Sequence, residues 1–221
     1  LLAGGPPAAP RRALAQRLRA TLGLDIDAVP LQRAAERVPS LRPTALALRG
    51  MRPPRFPELF DAFVNVIPFQ QLSLDAGAAI VGRLVQRFGG RMQHADRSFA
   101  IYPSAGVIAD ARVAGLIACG LSRSKAEALR HVARAVANGE VTEDAIARLD
   151  TGDALKALTA LPGIGPWSAA VLLLRGFGRL EVFPPGDSGA LRGLTALLKL
   201  RSPASLERVV ERFGAYRGYL Y

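Results

Sequence analysis

Acidic residues are scarce in this chain, and so are cysteine, histidine and aromatic rings. Asp and Glu total 18 against 29 Lys and Arg, which leaves a net charge of +11 at neutral pH. That excess suits a polyanionic partner such as nucleic acid. The single cysteine, Cys119, lies in the small apolar stretch GLIACGL. It excludes an intrachain disulfide and a four-cysteine iron–sulfur cluster, and it fits a reducing cytosol. The two histidines, His94 and His131, are far apart without metal-ligand spacing and read as surface residues. No histidine-based catalytic constellation can be assembled from them.

No signal peptide is visible, and none is expected. The opening LLAGGPPAAPRR has no initiator Met and reads as a trimmed or disordered end. The longest uncharged run, Ala157–Leu174, has 18 residues, enough to raise the question of a membrane span. Its middle reads LPGIGPW. Two prolines and two glycines there would leave backbone groups unpaired in lipid, so the run is not a span.

What the chain does have is helix. Its 221 residues are half hydrophobic, enough for one large domain or two small lobes with a shared core. Clean alternation of apolar and polar residues is rare, and Ala, Leu and Arg are abundant. RRALAQRLRATLG spaces Leu14, Leu18 and Leu22 on one face and stops at Gly23. FPELFDAFVNVI starts with Pro57 in its first turn, and Pro68 ends or kinks it. Ser73 caps the helix that stops at Gly89-Gly90, Ser122 or Ser124 caps KAEALRHVARAVANG, and Thr142 caps EDAIARLD. Asp153 or Thr151 opens ALKALTAL, Pro166 opens WSAAVLLLRGFG, and Pro203 opens ASLERVVERFG. The expectation is an all-α protein of at least eight short helices.

The broken apolar run reads as two helices joined by a hairpin. Pro162-Gly163-Ile164-Gly165 is a tight turn whose glycines permit positive φ and close backbone approach. Pro166 occupies the first position of the second helix, where a missing N–H costs nothing. The turn then presents backbone donors at a helix N-terminus, a ready anion site that needs no side chain. Gly163, Ile164 and Gly165 would hold a DNA phosphate through their main chain, and the Ile164 side chain would clamp the helices from inside. Such a contact positions DNA without reading sequence. An ordinary turn between core helices is the plainer alternative. Downstream, Asp187 follows Phe183-Pro184-Pro185-Gly186 and precedes a helical stretch, so it reads as an N-cap.

Taken together, LPGIGPW and FPPGD resemble the helix-hairpin-helix/Gly-Pro-Asp superfamily of base-excision glycosylases, and within it the 3-methyladenine DNA glycosylase II family. LRGMRPPRFPELFDAFVNVIPFQQLSL, from Leu48 to Leu74, and GLSRSKAEAL, from Gly120 to Leu129, resemble that family as well. The likeness runs from about Pro30 to Tyr219. It implies two helical lobes flanking a cleft: an interior lobe over 59–179 with the hairpin, and a second lobe of 1–58 plus 180–221 carrying Asp187. Longer members have an N-terminal mixed α/β domain, which a chain of this length is expected to lack.

The resemblance implies a monofunctional glycosylase. Members flip a damaged nucleotide out of double-stranded DNA and cut its N-glycosidic bond. Asp187 would be the catalytic carboxylate, stabilising an oxocarbenium-like sugar and orienting or deprotonating water. An alkylated purine leaves as a neutral base, so one carboxylate suffices. Bifunctional relatives place a lysine nucleophile where this chain has Trp167, which cannot form a Schiff base. Trp167 would instead stack on the cationic base, or serve as a core residue. Gln70, Phe69 and Tyr102 would line the base pocket, and Gln71 would plug the duplex, or solvate a helix end. A monovalent cation, Na+ or K+, would be held by the backbone carbonyls of Thr159, Leu161 and Ile164. No other cofactor is implied.

Departures from the family pattern shape the expected substrates. Val171 stands where a relative has an aromatic residue, and aromatics near the C-terminus are reduced to Tyr216, Tyr219 and Tyr221. A more open pocket would accept 3-methyladenine and 7-methylguanine, and also 1-methyladenine and 3-methylcytosine. Arg123, Lys125 and Arg175 are candidates for the duplex path, against the alternative of a solvated helix face. The expected protein is monomeric, has no membrane partner and works in the cytoplasm at the bacterial nucleoid. The competing reading is a non-catalytic DNA-binding or damage-sensing module. A third is a glycosylase for uracil, mismatched or oxidised bases, against which the missing lysine and cysteines argue.

Overall fold

The computed structural model describes residues 8–200 and 203–221. Residues 1–7 of the opening that the sequence marks as trimmed or disordered lie outside the described residues. The chain divides into two compact units. A terminal unit draws on the segments up to Pro57 and from Leu174 onward, and an interior unit is Glu58–Leu173.

The interior unit is built around α4 (Leu59–Phe69), of which eight of its 11 residues are buried. A helix apolar on every side belongs in the middle of a core. It starts at Leu59, after Pro57, with Glu58 in an extended N-cap conformation, and it ends one residue past Pro68. Glu58 makes no side-chain cap. Glu143 Oε2 accepts the first helical amide, that of Leu59, at 3.3 Å. α5 (Leu74–Phe88) and α8 (Arg123–Ala137) pack on α4, each with its apolar stripe turned inward. α6 (Ala105–Asp110) and α7 (Val113–Ile117) pack on α8. Phe63, Ile67, Leu84, Ile108, Leu116, Leu129, Leu158 and Leu172 are fully buried.

The capping signals resolve as Ser73, Ser122 and Thr142, each accepting the amide three residues on. The helix α10 (Thr151–Thr159) departs from expectation, because Asp150 rather than Asp153 or Thr151 is its N-cap. Asp150 has the extended backbone a cap requires and accepts Asp153 N–H at 2.8 Å. α9 (Glu143–Arg148) precedes it, and α11 (Pro166–Gly176) follows the turn.

The all-α expectation holds, with one small addition. β1 (Gly90–His94) and β2 (Arg97–Ile101) form an antiparallel hairpin, with Met92 opposite Phe99. All ten residues are exposed, so neither face is buried and no apolar alternation marks the strands. The turn at Ala95-Asp96 places Ala95 at φ +48°, without the Asn-Gly signal that usually announces it.

The terminal unit contains α1 (Ala8–Thr21), α2 (Val29–Glu36), α3 (Arg42–Ala47), α12 (Ser188–Leu197), α13 (Pro203–Arg212) and a 3₁₀ helix (Gly214–Leu220). Its core joins Leu31 and Leu41 to Leu194, Leu198, Leu206, Val210 and Phe213, residues far apart in sequence. Arg55 stitches the two segments. Its guanidinium donates to Ala20 O at 2.7 Å and Phe177 O at 3.3 Å and pairs with Asp25. The leucine stripe of α1 does not join the core: Leu14, Leu18 and Leu22 are more than half exposed. Among the described residues, no helix is long and apolar enough to cross a membrane.

Candidate functional site

The hairpin between α10 and α11 follows from its sequence. Pro162 and Gly163 are the central residues of a turn closed by Ile164 N–H donating to Leu161 O at 3.1 Å. Gly163 sits at φ +78°, where a side chain is strained, and a Cβ there would stand 2.4 Å from Ala128 Cβ. The glycine therefore serves both the turn and the close approach to α8. Ile164 is buried, as the clamp reading requires, while Gly163, Gly165 and Pro166 are exposed. The exposed surface of the loop is thus main chain at the two glycines, flanked by the rings of Pro162 and Pro166. It leads directly into α11, whose first turn has amides with no helical carbonyl behind them.

Next to the hairpin lies the end of α4. Gln70 Nε2 donates to Gly163 O at 2.8 Å and to Ser168 Oγ at 2.9 Å. The structure thus brings Gln70 onto the hairpin, with its amide donors directed at the turn. Gln71 is exposed and left-handed, at φ +57°. Few non-glycine residues adopt this conformation without a local reason. Lys125, expected on a duplex path, instead reaches back from α8. Its Nζ donates to Pro68 O at 3.1 Å and to Gln70 O. Burial pushes its pKa down.

The other proposed pocket residues have distinct surroundings. Trp167 is half-buried at the start of α11, not enclosed in the core. Val171, one turn on, is buried. The Phe69 ring lies against Gly77 of α5, where a Cβ would come within 2.5 Å of it. Tyr102 is 38% exposed and donates its hydroxyl to Asn65 Oδ1 at 3.3 Å. Of the two hydroxyl residues in the uncharged run, Thr159 is exposed and Ser168 is nearly inaccessible, at 2%. Its position between Trp and Ala was its only signal.

In the terminal unit, Gly186 turns the chain at φ +71° and delivers Asp187 to the start of α12. Asp187 is the N-cap, with Oδ1 accepting the amides of Gly189 and Ala190 at 2.9 Å each. Oδ2 has a different partner: the Tyr221 hydroxyl donates to it at 2.7 Å. The Tyr221 ring packs edge-on against Phe183, with centroids 6.0 Å apart. Asp187 is half-buried, and its carboxylate is held by three donors from two segments. Sequence reading missed the tyrosine's role, since it lies 34 positions away.

Gly218 brings that tyrosine into place. Its amide donates to Leu180 O at 2.7 Å, and a Cβ there would fall 2.2 Å from Val182 O. No other residue allows the 3₁₀ helix to lie so close to the segment that leads to Asp187.

The remaining expected cations divide. Arg123 is exposed, 3.8 Å from Glu127 on its own helix. Arg175 is half-buried, and burial lowers its pKa, partly countered by Tyr221. The carbonyl set suggested for a cation also has a definite state. Leu161 O accepts the Ile164 amide and keeps a second lone pair. Thr159 directs its hydroxyl back to Leu155 O at 2.8 Å, away from its own carbonyl. These oxygens suit a hard monovalent ion in type.

Comparisons with known proteins bear on the hairpin and on the Asp187 segment. The family model of the HhH-GPD superfamily of base excision DNA repair proteins matches residues 64–214. The chain is similar to the DNA-3-methyladenine glycosylase of Bacillus subtilis, at 26% identity over 85% of this chain and 62% of that one. It is also similar to DNA-3-methyladenine glycosylase 2 of Escherichia coli, at 31% identity over 77% of this chain and 58% of that one. The chain thus spans about three-fifths of the length of these curated relatives. Among solved structures, 3-methyladenine DNA-glycosylase from Archaeoglobus fulgidus superposes with a TM-score of 0.84 at 27% identity, covering 98% of this chain and 75% of that one.

Proposed function

Since this chain belongs to the HhH-GPD superfamily of base excision DNA repair proteins, we propose that it is a monofunctional DNA glycosylase for alkylated bases in double-stranded DNA. The observation that carries the reading is the Asp187 carboxylate, ordered by the Gly189 and Ala190 amides and by Tyr221. Relatives named for 3-methyladenine excision support the substrate class.

In this mechanism the exposed main chain at Gly163 and Gly165 grips a backbone phosphate, while Ile164, expected to donate as well, is buried with its amide closing the turn on Leu161 O. Gln71 fills the gap left by the extruded nucleotide. The base is held against Trp167, whose ring favours a cationic base by about 0.5–2 kcal/mol. As the C1′–N bond breaks, positive charge moves from base to sugar, and Asp187 balances it. Water then adds to C1′, with Asp187 accepting its proton, and the alkylated base leaves neutral. No general acid is needed for that departure. A monovalent cation at the carbonyls of Thr159, Leu161 and Ile164 would add positive charge for the phosphate.

The few aromatic walls favour a broad spectrum: 3-methyladenine and 7-methylguanine, with 1-methyladenine and 3-methylcytosine beside them. We further read the protein as a monomer that works on genomic DNA at the nucleoid. A base-release assay across these four lesions tests the reading. The wild type is expected to release alkylated base and the Asp187→Asn protein to release none. A wild type that binds DNA and frees no base would leave a binding or damage-sensing module instead. Activity confined to 3-methyladenine would reject the broad spectrum.

A further inference from the structure

The end of α4 raises a problem that its sequence does not solve. A helix leaves its last carbonyls without partners, and a glycine in the left-handed conformation usually closes such an end. Here the left-handed residue is Gln71, at φ +57°, and it carries a Cβ. One side chain from another element, Lys125 of α8, holds the peptide before it, and the side chain of Gln70 anchors that residue to the hairpin. Lys125 donates to Pro68 O and Gln70 O, its only partners among the described residues. Gln70 sends its own amide to Gly163 O and Ser168 Oγ.

We propose that Lys125 and Gln70 are positioning residues that strap the Gln71 loop to the hairpin at a fixed offset. The contacts form a closed circuit. Lys125 on α8 holds the Gln70 carbonyl. Gln70 holds the Gly163 carbonyl. Gly163 lies against Ala128, one turn along α8 from Lys125. The loop that enters the duplex is therefore referenced to the loop that grips its phosphate. A pre-set loop avoids paying ordering entropy at the moment of insertion. The cation supports the helix end, where carbonyl dipoles attract it, and is not spent on DNA. The inference rests on the glycosylase reading for its consequence, and its test separates the two.

The Lys125→Met protein keeps the apolar stem and loses the donors. Undamaged duplex is expected to bind within twofold of wild type, with an unchanged salt slope, because no phosphate contact is lost. Extrusion of a 2-aminopurine reporter base and single-turnover release of 3-methyladenine are expected to fall at least tenfold. The Lys125→Arg protein, which retains a cation and several donors, is expected to keep part of the extrusion that Lys125→Met loses. Gln70→Leu provides a second variant with the same expected split between binding and extrusion.

Wild-type extrusion in both variants would overturn the strap. So would weaker binding of Lys125→Met with a shallower salt slope, which would place the lysine on a phosphate. A wild type that extrudes the reporter but frees no base would overturn the catalytic reading alone. Loss of extrusion in the variants would still support the strap.

Discussion

The Tyr221 hydroxyl donates to Asp187 Oδ2 at 2.7 Å, on the oxygen that the N-cap bonds leave available. The cap orders one side of the carboxylate and the phenol the other. Removing the phenol in Tyr221→Phe leaves the ring packed on Phe183 and deletes one donor to a charged group, an interaction worth roughly 1.5–3 kcal/mol before solvent screening. Single-turnover base release is expected to fall by about tenfold, which is ~1.4 kcal/mol of barrier. An unchanged single-turnover rate would mean that the phenol is incidental.

Asp187 has a structural and a chemical task, and two substitutions separate them. Asparagine keeps an oxygen for the Gly189 and Ala190 amides, so Asp187→Asn is expected to melt within a few degrees of wild type. It should still bind DNA and lose base release altogether. Asp187→Ala loses the cap as well and is expected to cost about 1 kcal/mol of stability. Thermal melts read beside the excision assay distinguish the two effects.

The two exposed glycines of the hairpin should respond differently to alanine. At Gly163 the new methyl meets Ala128 Cβ at 2.4 Å and the backbone is left-handed. Gly163→Ala is therefore expected to cost about 2 kcal/mol or more and to displace the turn. A Cβ at Gly165 meets nothing within 4 Å. Gly165→Ala should fold normally and weaken DNA binding only by standing in front of the phosphate. Denaturant midpoints and duplex affinity, measured on both, check the contrast.

Trp167 occupies the first turn of α11, at the place where a lysine would make an imine. Borohydride treatment of the enzyme on an abasic duplex should trap no covalent complex through this position. A trapped adduct mapped to the hairpin region would contradict hydrolysis by water alone.

Cys119 is 2% exposed, and burial raises its thiol pKa against the pull of Arg87 and Arg83. A thiol that ionises later in the folded state adds stability below about pH 8.5, the unfolded range. That contribution is lost as pH rises through the higher folded value. Native protein should react with an aromatic disulfide only as fast as it unfolds. Cys119→Ala should flatten part of the alkaline decline in melting temperature.

Much of this was legible from residues alone. LPGIGPW specified a turn, a buried clamp and a proline-led helix, because each depends on near neighbours: Ile164 is buried and α11 starts at Pro166. FPPGD specified a cap for the same reason. What escaped was non-local or unpatterned. Lys125 meets Pro68 across 57 positions, and Tyr221 meets Asp187 across 34. No periodicity encodes such distances. The exposed hairpin of β1 and β2 escaped because burial, which imprints alternation, is absent from both faces. The choice of Asp150 over its neighbours depended on a backbone angle, and Thr151 and Asp153 compete for that role.

Between the rings of Pro162 and Pro166 the hairpin's outward face is peptide, with Ile164 turned inward. Mutation can replace a side chain, but only a change to proline deletes an amide donor, so this grip has few positions at which selection can weaken it by degrees. Drift should be tolerated wherever the chain's course is kept and punished where a methyl blocks it. A saturation scan under alkylation stress would therefore show a narrow trough at Gly163, set by shape, with broad tolerance among other apolar residues at Ile164.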